Sequence, residues 1–420
     1  RRGLKEEDCY DTQLEALNNS HTAKEYPQAQ VYAVGHFLLK EDIGLKVAAT
    51  SALKSLGVQF PEYTHKILGV VIKNASQEEQ IRAIMQVWNE IPSGIQHLAS
   101  QDPDLSVLLN LAHLQVHRRQ RAFTSVKESQ VQPEFIKELI VPLMNFYILF
   151  SSHKKNYSEN FMHHCITLLA DKAWQMSWRE YSKLLKLYLR HLEDSEKTAT
   201  KALAMVLQNL PPNLQDTQLA FLKGKVFPVL KDHIIAESSR TNKVIRKFVV
   251  LGLYSIVSVQ PKQEQETETH RLLTLLSKKF SGRDEGMRES VVKSVVELLR
   301  YGMHSASILK EFNKALDSEL FTLFLTKVLP SGVLQLNAHW CEKCIKVLLE
   351  YEQYSSFYSI ARTIKPELFK FMLASTKPLQ HITQGLCENL NITSEDLISI
   401  GLALLSSKTP SEAPKTSPET

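Results

Sequence analysis

Apolar residues recur at spacings of three and four along most of this chain, in segments of roughly a dozen or more residues closed by short polar turns. The pattern begins near Gln28 with Val31, Val34, Phe37 and Leu38. Leu45, Val47, Ala48, Ala52, Leu53 and Leu56 repeat it up to Gly57, a plausible helix stop. Pro61 opens a segment through Ile72, and Gln77 to Trp88 forms another that closes before Pro92. No alternation of period two survives over a useful length. The spacing predicts an all-α chain.

The same rhythm continues. Phe135, Ile136, Leu139, Ile140, Leu143, Met144, Tyr147 and Ile148 form a strong segment after Pro133. Phe161 to Leu169 and Trp178 to Leu192 make the next pair, and Ala199 to Leu210 ends at Pro211-Pro212, where no N–H is available to a helix ladder. Leu219 to Ile235 and Val244 to Val259 follow. Then come Leu272–Phe280, Met287–Tyr301, Ile308–Leu316, Leu320–Val328, Leu334–Tyr354 and Phe357–Ala361, with shorter helices around Phe369, Ile382 and Leu397. Helices of this length joined by short turns are the signature of HEAT-like and armadillo-like arrays, whose period is about 40–47 residues. An α-solenoid is expected.

Composition agrees. A chain of 420 residues exceeds what one compact helical core holds, so it divides into domains or grows by repetition. Its 14 glycines and 16 prolines are too few for a loop-rich β protein. We expect residues 1–27 to form one short helix at most, an array over 28–260, a loop at 261–270 where apolar residues are absent, a continued array over 271–406, and a disordered Pro/Ser/Thr-rich tail at 407–420. The N-terminus carries no apolar run after its charges, so no signal peptide is read there. No stretch of about 18 apolar residues suggests a membrane span. The first residue is Arg1, which points to a fragment or a processed product.

Net charge is +5, too small by itself to imply nucleic-acid binding, so local clusters have to carry that case. The best cluster closes the stretch Val107–Ala122, read as a single helix. Leu108, Leu111, Ala112, Leu114 and Gln115 lie along one side, and His117, Arg118, Arg119 and Arg121 gather at its end, where cations suit the negative helix pole. Arginine forks bind phosphate, so these four are the candidate RNA contacts. A solvated face or salt bridges to a neighbouring helix is the competing reading. Lys278, Lys279 and Arg283 form a second basic spot.

Other motifs are weaker. Cys341-Glu-Lys-Cys344 follows Trp340 but sits in a helical run with no strand before it, and there is no second cysteine pair to complete a zinc site. The five cysteines, Cys9, Cys165, Cys341, Cys344 and Cys387, do not make a disulfide framework and suit a reducing compartment. His113 and His117 share a face but lack a third ligand. There is no nucleophile elbow and no Gly-rich phosphate loop. The triplets at Asn74, Asn156 and Asn391 are read as chance, and Thr409 and Ser417, each before Pro, as candidate phosphorylation sites.

The run Asn110-Leu-Ala-His-Leu-Gln-Val-His-Arg-Arg-Gln-Arg-Ala122 resembles a segment of the U3 small nucleolar RNA-associated protein 20 family, also called small-subunit processome component 20 or down-regulated-in-metastasis. Val141–Leu149, Trp178–Arg190, Arg283–Ser290 and Ile308–Leu316 resemble later helices of that family in the same order. The similarity covers about residues 100–317. The chain departs from the family after Ala122, where Phe-Thr-Ser-Val stands in place of further basic residues, and after Leu316. The resemblance implies a fragment of a large nucleolar HEAT-repeat scaffold in the small-subunit processome, acting in pre-18S ribosomal RNA processing. It implies processome proteins and pre-rRNA or U3 small nucleolar RNA as partners. No catalytic role, cofactor, metal, membrane or small-molecule substrate is expected. The alternatives are a helical-repeat protein adaptor without RNA, and an enzyme using Cys341 and Cys344.

Overall fold

The computed structural model describes residues 12–17, 26–92, 94–150, 157–193, 197–211, 213–235, 240–353 and 356. Among them there is helix and no strand, as the spacing predicts, and the fold is an all-α helical-repeat solenoid. The expected helices beyond residue 356, the tail at 407–420, Cys9, Cys387, Asn391, Thr409 and Ser417 lie outside the described residues. The chain forms two compact units, 1–237 and 238–420.

The first unit begins with α1 (Pro27–Phe37), α2 (Ile43–Gln59), α3 (Pro61–Asn74) and α4 (Glu78–Glu90). Each packs on the next and on the next but one, which is how a repeated helical hairpin buries one continuous core. Asp42 caps α2 by accepting from the Leu45 N–H at 2.8 Å. Gly57 does not stop α2. A Cβ there would lie 2.5 Å from Ile91 Cγ1, so glycine is used to let α2 approach its neighbour.

Trp88 is fully buried in α4, and its indole N–H donates to His65 Nδ1 on α3 at 2.9 Å. His65 Nε2 lies 3.3 Å from the Pro92 carbonyl, so the imidazole is neutral with its proton on Nε2. Burial lowers the His65 pKa from its ordinary 6.5, and the Pro92 carbonyl only partly opposes this. As pH falls below 6.5, the unfolded chain therefore takes this proton before the folded one does, and stability present above 6.5 is lost. The wild type should lose more stability than His65→Gln between about pH 7.5 and pH 5. Equal losses in denaturant titrations would remove His65 as the source.

After a short turn come α5 (Val107–Asn110) and α6 (Val116–Glu128). α7 runs in four consecutive pieces: Pro133–Phe135, π-helical Ile136–Ile140, Val141–Asn145 and π-helical Phe146–Phe150. Pro142 removes one ladder donor, and the widened turn before it accommodates that loss. α8 (Glu159–Ala173), α9 (Trp178–Glu193) and α10 (Lys197–Gln208) continue the stack. The pieces Asp216–Phe221, Leu222–Val226 and Phe227–Ile235, together α11, close the unit.

The second unit comprises α12 (Arg240–Ser258), α13 (Lys262–Phe280), α14 (Glu285–Arg300), α15 (Ser305–Ala315), α16 (Ser318–Val328) and α17 (Ala338–Glu350). The same packing of neighbour and next neighbour recurs here. Phe280, Phe312 and Phe324 fill its core, the last two stacked 4.1 Å apart. Segment 261–270, expected as a loop, is instead the start of α13. A helix start with no buried residue shows no apolar period, but Gln and Glu are good helix formers. Gln265 anchors the turn by donating to the carbonyls of Ser258 and Gln260 at 2.7 and 2.6 Å. α17 starts later than its apolar spacing suggested, because Asn337 caps it by accepting from the Trp340 N–H.

Candidate nucleic-acid interface

The stretch Val107–Ala122 is not one helix. Asn110 Nδ2 turns back to the carbonyls of Ser106, Asp104 and Pro103. The chain then passes through a turn in which the Gln115 N–H donates to His113 Nδ1. A new helix begins at Val116. The basic residues consequently stand at the positive pole of α6, the reverse of the expected placement. Leu114, expected on the apolar face, is 69% exposed.

Within α6 the buried positions are Arg119, Ala122, Phe123 and Val126, a spacing of three and four. Arg119 therefore occupies the core register. It is 2% exposed, and its Nη2 donates to Glu78 Oε2 on α4 at 2.7 Å. Its Nη1 donates to the Tyr157 hydroxyl at 2.9 Å and its Nε to the His113 carbonyl. Tyr157 also donates to Glu78, and the guanidinium sits 5.3 Å from the Tyr147 ring centre. Burial works against the Arg119 charge, but Tyr147, the Glu78 hydrogen bond and Tyr157 more than offset it, and the pKa is raised. Arg119 is thus a fastener joining α4, α6, α7 and the lead into α8. The expectation that it meets RNA is corrected: all three of its guanidinium nitrogens are bonded inside the protein.

The other three candidates differ. Arg118 is half-buried and pairs with Asp104, which is 71% exposed, so this is a surface ion pair worth about 0–1 kcal/mol. His117 and Arg121 are both exposed, lie four apart on one helical face, and make no ion pair among the described residues. The Val116 and His117 N–H groups carry no hydrogen bond among the described residues, and the first turn of α6 holds no acid. Unpaired donors beside cations at a helix start form an arrangement suited to a phosphate.

The remaining motifs do not extend this site. Cys341 and Cys344 are both buried on α17, and burial, with Cys341 adjacent, pushes the Cys344 thiol up to about 12, the wrong direction for a nucleophile. Burial, then Arg118 and Arg119, hold His113 below its ordinary value. Among the described residues no group of three or more His, Cys, Asp and Glu is placed to hold a metal ion, and no helix is long and apolar enough to cross a membrane. The second basic spot, at Lys278, Lys279 and Arg283, is followed directly by Asp284 and Glu285.

No family model matches the chain. U3 small nucleolar RNA-associated protein 20 of Saccharomyces cerevisiae (strain ATCC 204508 / S288c) is 22% identical over 219 residues, covering 46% of this chain and 9% of that protein. The relationship is distant. The matched segment spans less than a tenth of that relative's length and under half of this chain.

Proposed function

We propose that this chain is a non-catalytic helical-repeat scaffold in small ribosomal subunit assembly, acting in the nucleolus within the small-subunit processome. In this reading it contacts processome proteins and pre-rRNA or U3 small nucleolar RNA. Its RNA edge is the start of α6, where Arg121 offers a free cation, His117 an exposed imidazole, and Arg118 can exchange Asp104 for a phosphate. The observation that carries the reading is the distant similarity to a U3 small nucleolar RNA-associated protein. The exposed positive pole of α6 supports it physically.

The test is binding of a single-stranded pre-rRNA fragment by the wild type and by the double variant His117→Ala/Arg121→Ala over a range of salt. Each phosphate that the variant no longer neutralises should reduce the slope of log K against log salt by about 0.7. Affinity and slope unchanged in the double variant would remove this edge. Absence of any RNA binding, with retention in particles through protein contacts, would favour a helical-repeat adaptor without an RNA role. The ion pairs that hold Arg118 and Arg119 are the observation favouring that second reading.

A further inference from the structure

The first unit contains a cleft of about 370 Å³ where the end of α3, the middle of α7 and the first half of α9 meet. That volume lies in the lower part of the roughly 300–1,000 Å³ range of ligand clefts. Its floor is carbon, supplied by Val141, Pro142, Phe146, Met176, Leu184 and Leu187. Lysines from three different helices stand around it: Lys73 on α3, Lys137 on α7 and Lys183 on α9. Glu180 is the acid in the lining, and Lys183 reaches it at 3.2 Å. Lys73 and Lys137 are exposed and make no ion pair among the described residues. Burial pulls the Glu180 carboxyl up, yet Lys183, Lys137 and Lys73 together hold it below its usual value, so the three ammonium groups act on one place.

Asn145 supplies a directed polar group. The Tyr188 hydroxyl donates to Asn145 Oδ1 at 2.8 Å, which fixes the amide and leaves its NH2 as a donor at the cleft. An apolar floor, one amide donor and an excess of ammonium groups at the rim together specify an occupant. It brings bulky carbon to the centre, a backbone carbonyl beside it and carboxylates at the edge. A nucleic-acid backbone fits less well, because it carries no aliphatic side chain and its bases need open aromatic faces, whereas Phe146 is 3% exposed.

We infer that this cleft docks an acidic peptide segment of a partner protein, with one bulky apolar side chain on the floor of Val141, Phe146, Met176 and Leu187 and flanking Asp or Glu residues on Lys73 and Lys137. The site lies on α3, α7 and α9, apart from the start of α6, and stands whether or not the RNA reading does.

The experiment uses the full chain and a fluorescein-labelled peptide, Asp-Glu-Asp-Trp-Leu-Asp-Glu-Asp, followed by anisotropy at low salt. Saturable binding is expected. Lys73→Glu/Lys137→Glu should weaken it by about ten-fold or more, and changing Trp and Leu of the peptide to Ser should weaken it similarly. Lys73→Gln/Lys137→Gln should fall between wild type and the charge reversal, with an unchanged thermal midpoint for both variants. If the reversal lowers that midpoint, the Gln pair and the Ser-substituted peptide carry the test alone. No binding, or binding equal in all variants, overturns the proposal. Oligouridylate that binds at these lysines and displaces the peptide assigns the cleft to phosphate instead. Self-association of the wild type that the Gln pair abolishes assigns it to a second copy of the chain.

Discussion

Arg119→Ala should destabilise the first unit by about 3–5 kcal/mol, because the buried Glu78 carboxylate loses the cation hydrogen-bonded to it and keeps only Arg82, 3.8 Å away. Both partners are closed off from water, at 2% and 9% side-chain exposure. The damage reaches further than one pair. Tyr157 and the His113 carbonyl lose a partner in the same step, and the turn that sets the start of α6 loses its anchor. Denaturant titration should show a lower midpoint, whereas Arg121→Ala, on the same helix but exposed, should stay within about 0.5 kcal/mol of wild type. The double variant Glu78→Leu/Arg119→Leu should recover part of that stability, since the buried pair is removed together and Arg82 keeps Glu79 at 2.7 Å. Arg119→Ala as stable as wild type would contradict the fastener role. This bears directly on function. Replacing all three arginines of the cluster at once would lower RNA binding by unfolding the unit, and only His117 and Arg121 give a clean test of RNA binding at this edge.

Arg246→Met should raise the stability of the second unit by about 1–3 kcal/mol. Arg246 lies in α12 at 0% exposure, and its one hydrogen bond runs from Nη1 to Ser290 Oγ at 2.9 Å. Its Nε and Nη2 are buried with no hydrogen-bond partner among the described residues. Burial accordingly lowers its pKa, and the Asp284 charge only partly opposes this. Methionine keeps an unbranched stem of similar reach and removes the unpaired donors. Ser290 is not orphaned by the change, because its hydroxyl still donates to the Lys243 carbonyl at 3.2 Å. A chemical unfolding midpoint that falls by more than the equivalent of about 1 kcal/mol would show that the guanidinium has an anionic partner in the folded protein.

The two arginines are opposite cases of one rule. A buried cation is tolerable when its donors are used, and Arg119 uses them on a carboxylate, a hydroxyl and a carbonyl. Arg246 has a hydroxyl and little else. Neither difference is visible from the basic residues alone. The Arg119 partners lie 41 and 38 positions away, at Glu78 and Tyr157, and no local pattern connects them. One signal was nevertheless present. Once a helix begins at Val116, Arg119 falls in step with Ala122, Phe123 and Val126, and a polar residue in an apolar register is a buried residue with a partner elsewhere.

What the amino-acid order determined by itself was the class and the rhythm. Apolar residues at spacings of three and four, with prolines and capping side chains between them, specify α1 to α4 and most of the later helices with nearly the right ends, because helix formation is a short-range matter of one face and two termini. It also singled out His117, Arg118, Arg119 and Arg121 as candidate phosphate contacts, of which His117 and Arg121 are exposed. The tertiary structure alone decided three things: that Val107–Ala122 breaks at Asn110, that one arginine of four became a core fastener, and that lysines from three helices surround one apolar cleft. Each depends on groups distant in sequence meeting in a medium poor in water, where an unpaired charge or donor is costly enough to decide which helix ends where and which side chain turns inward.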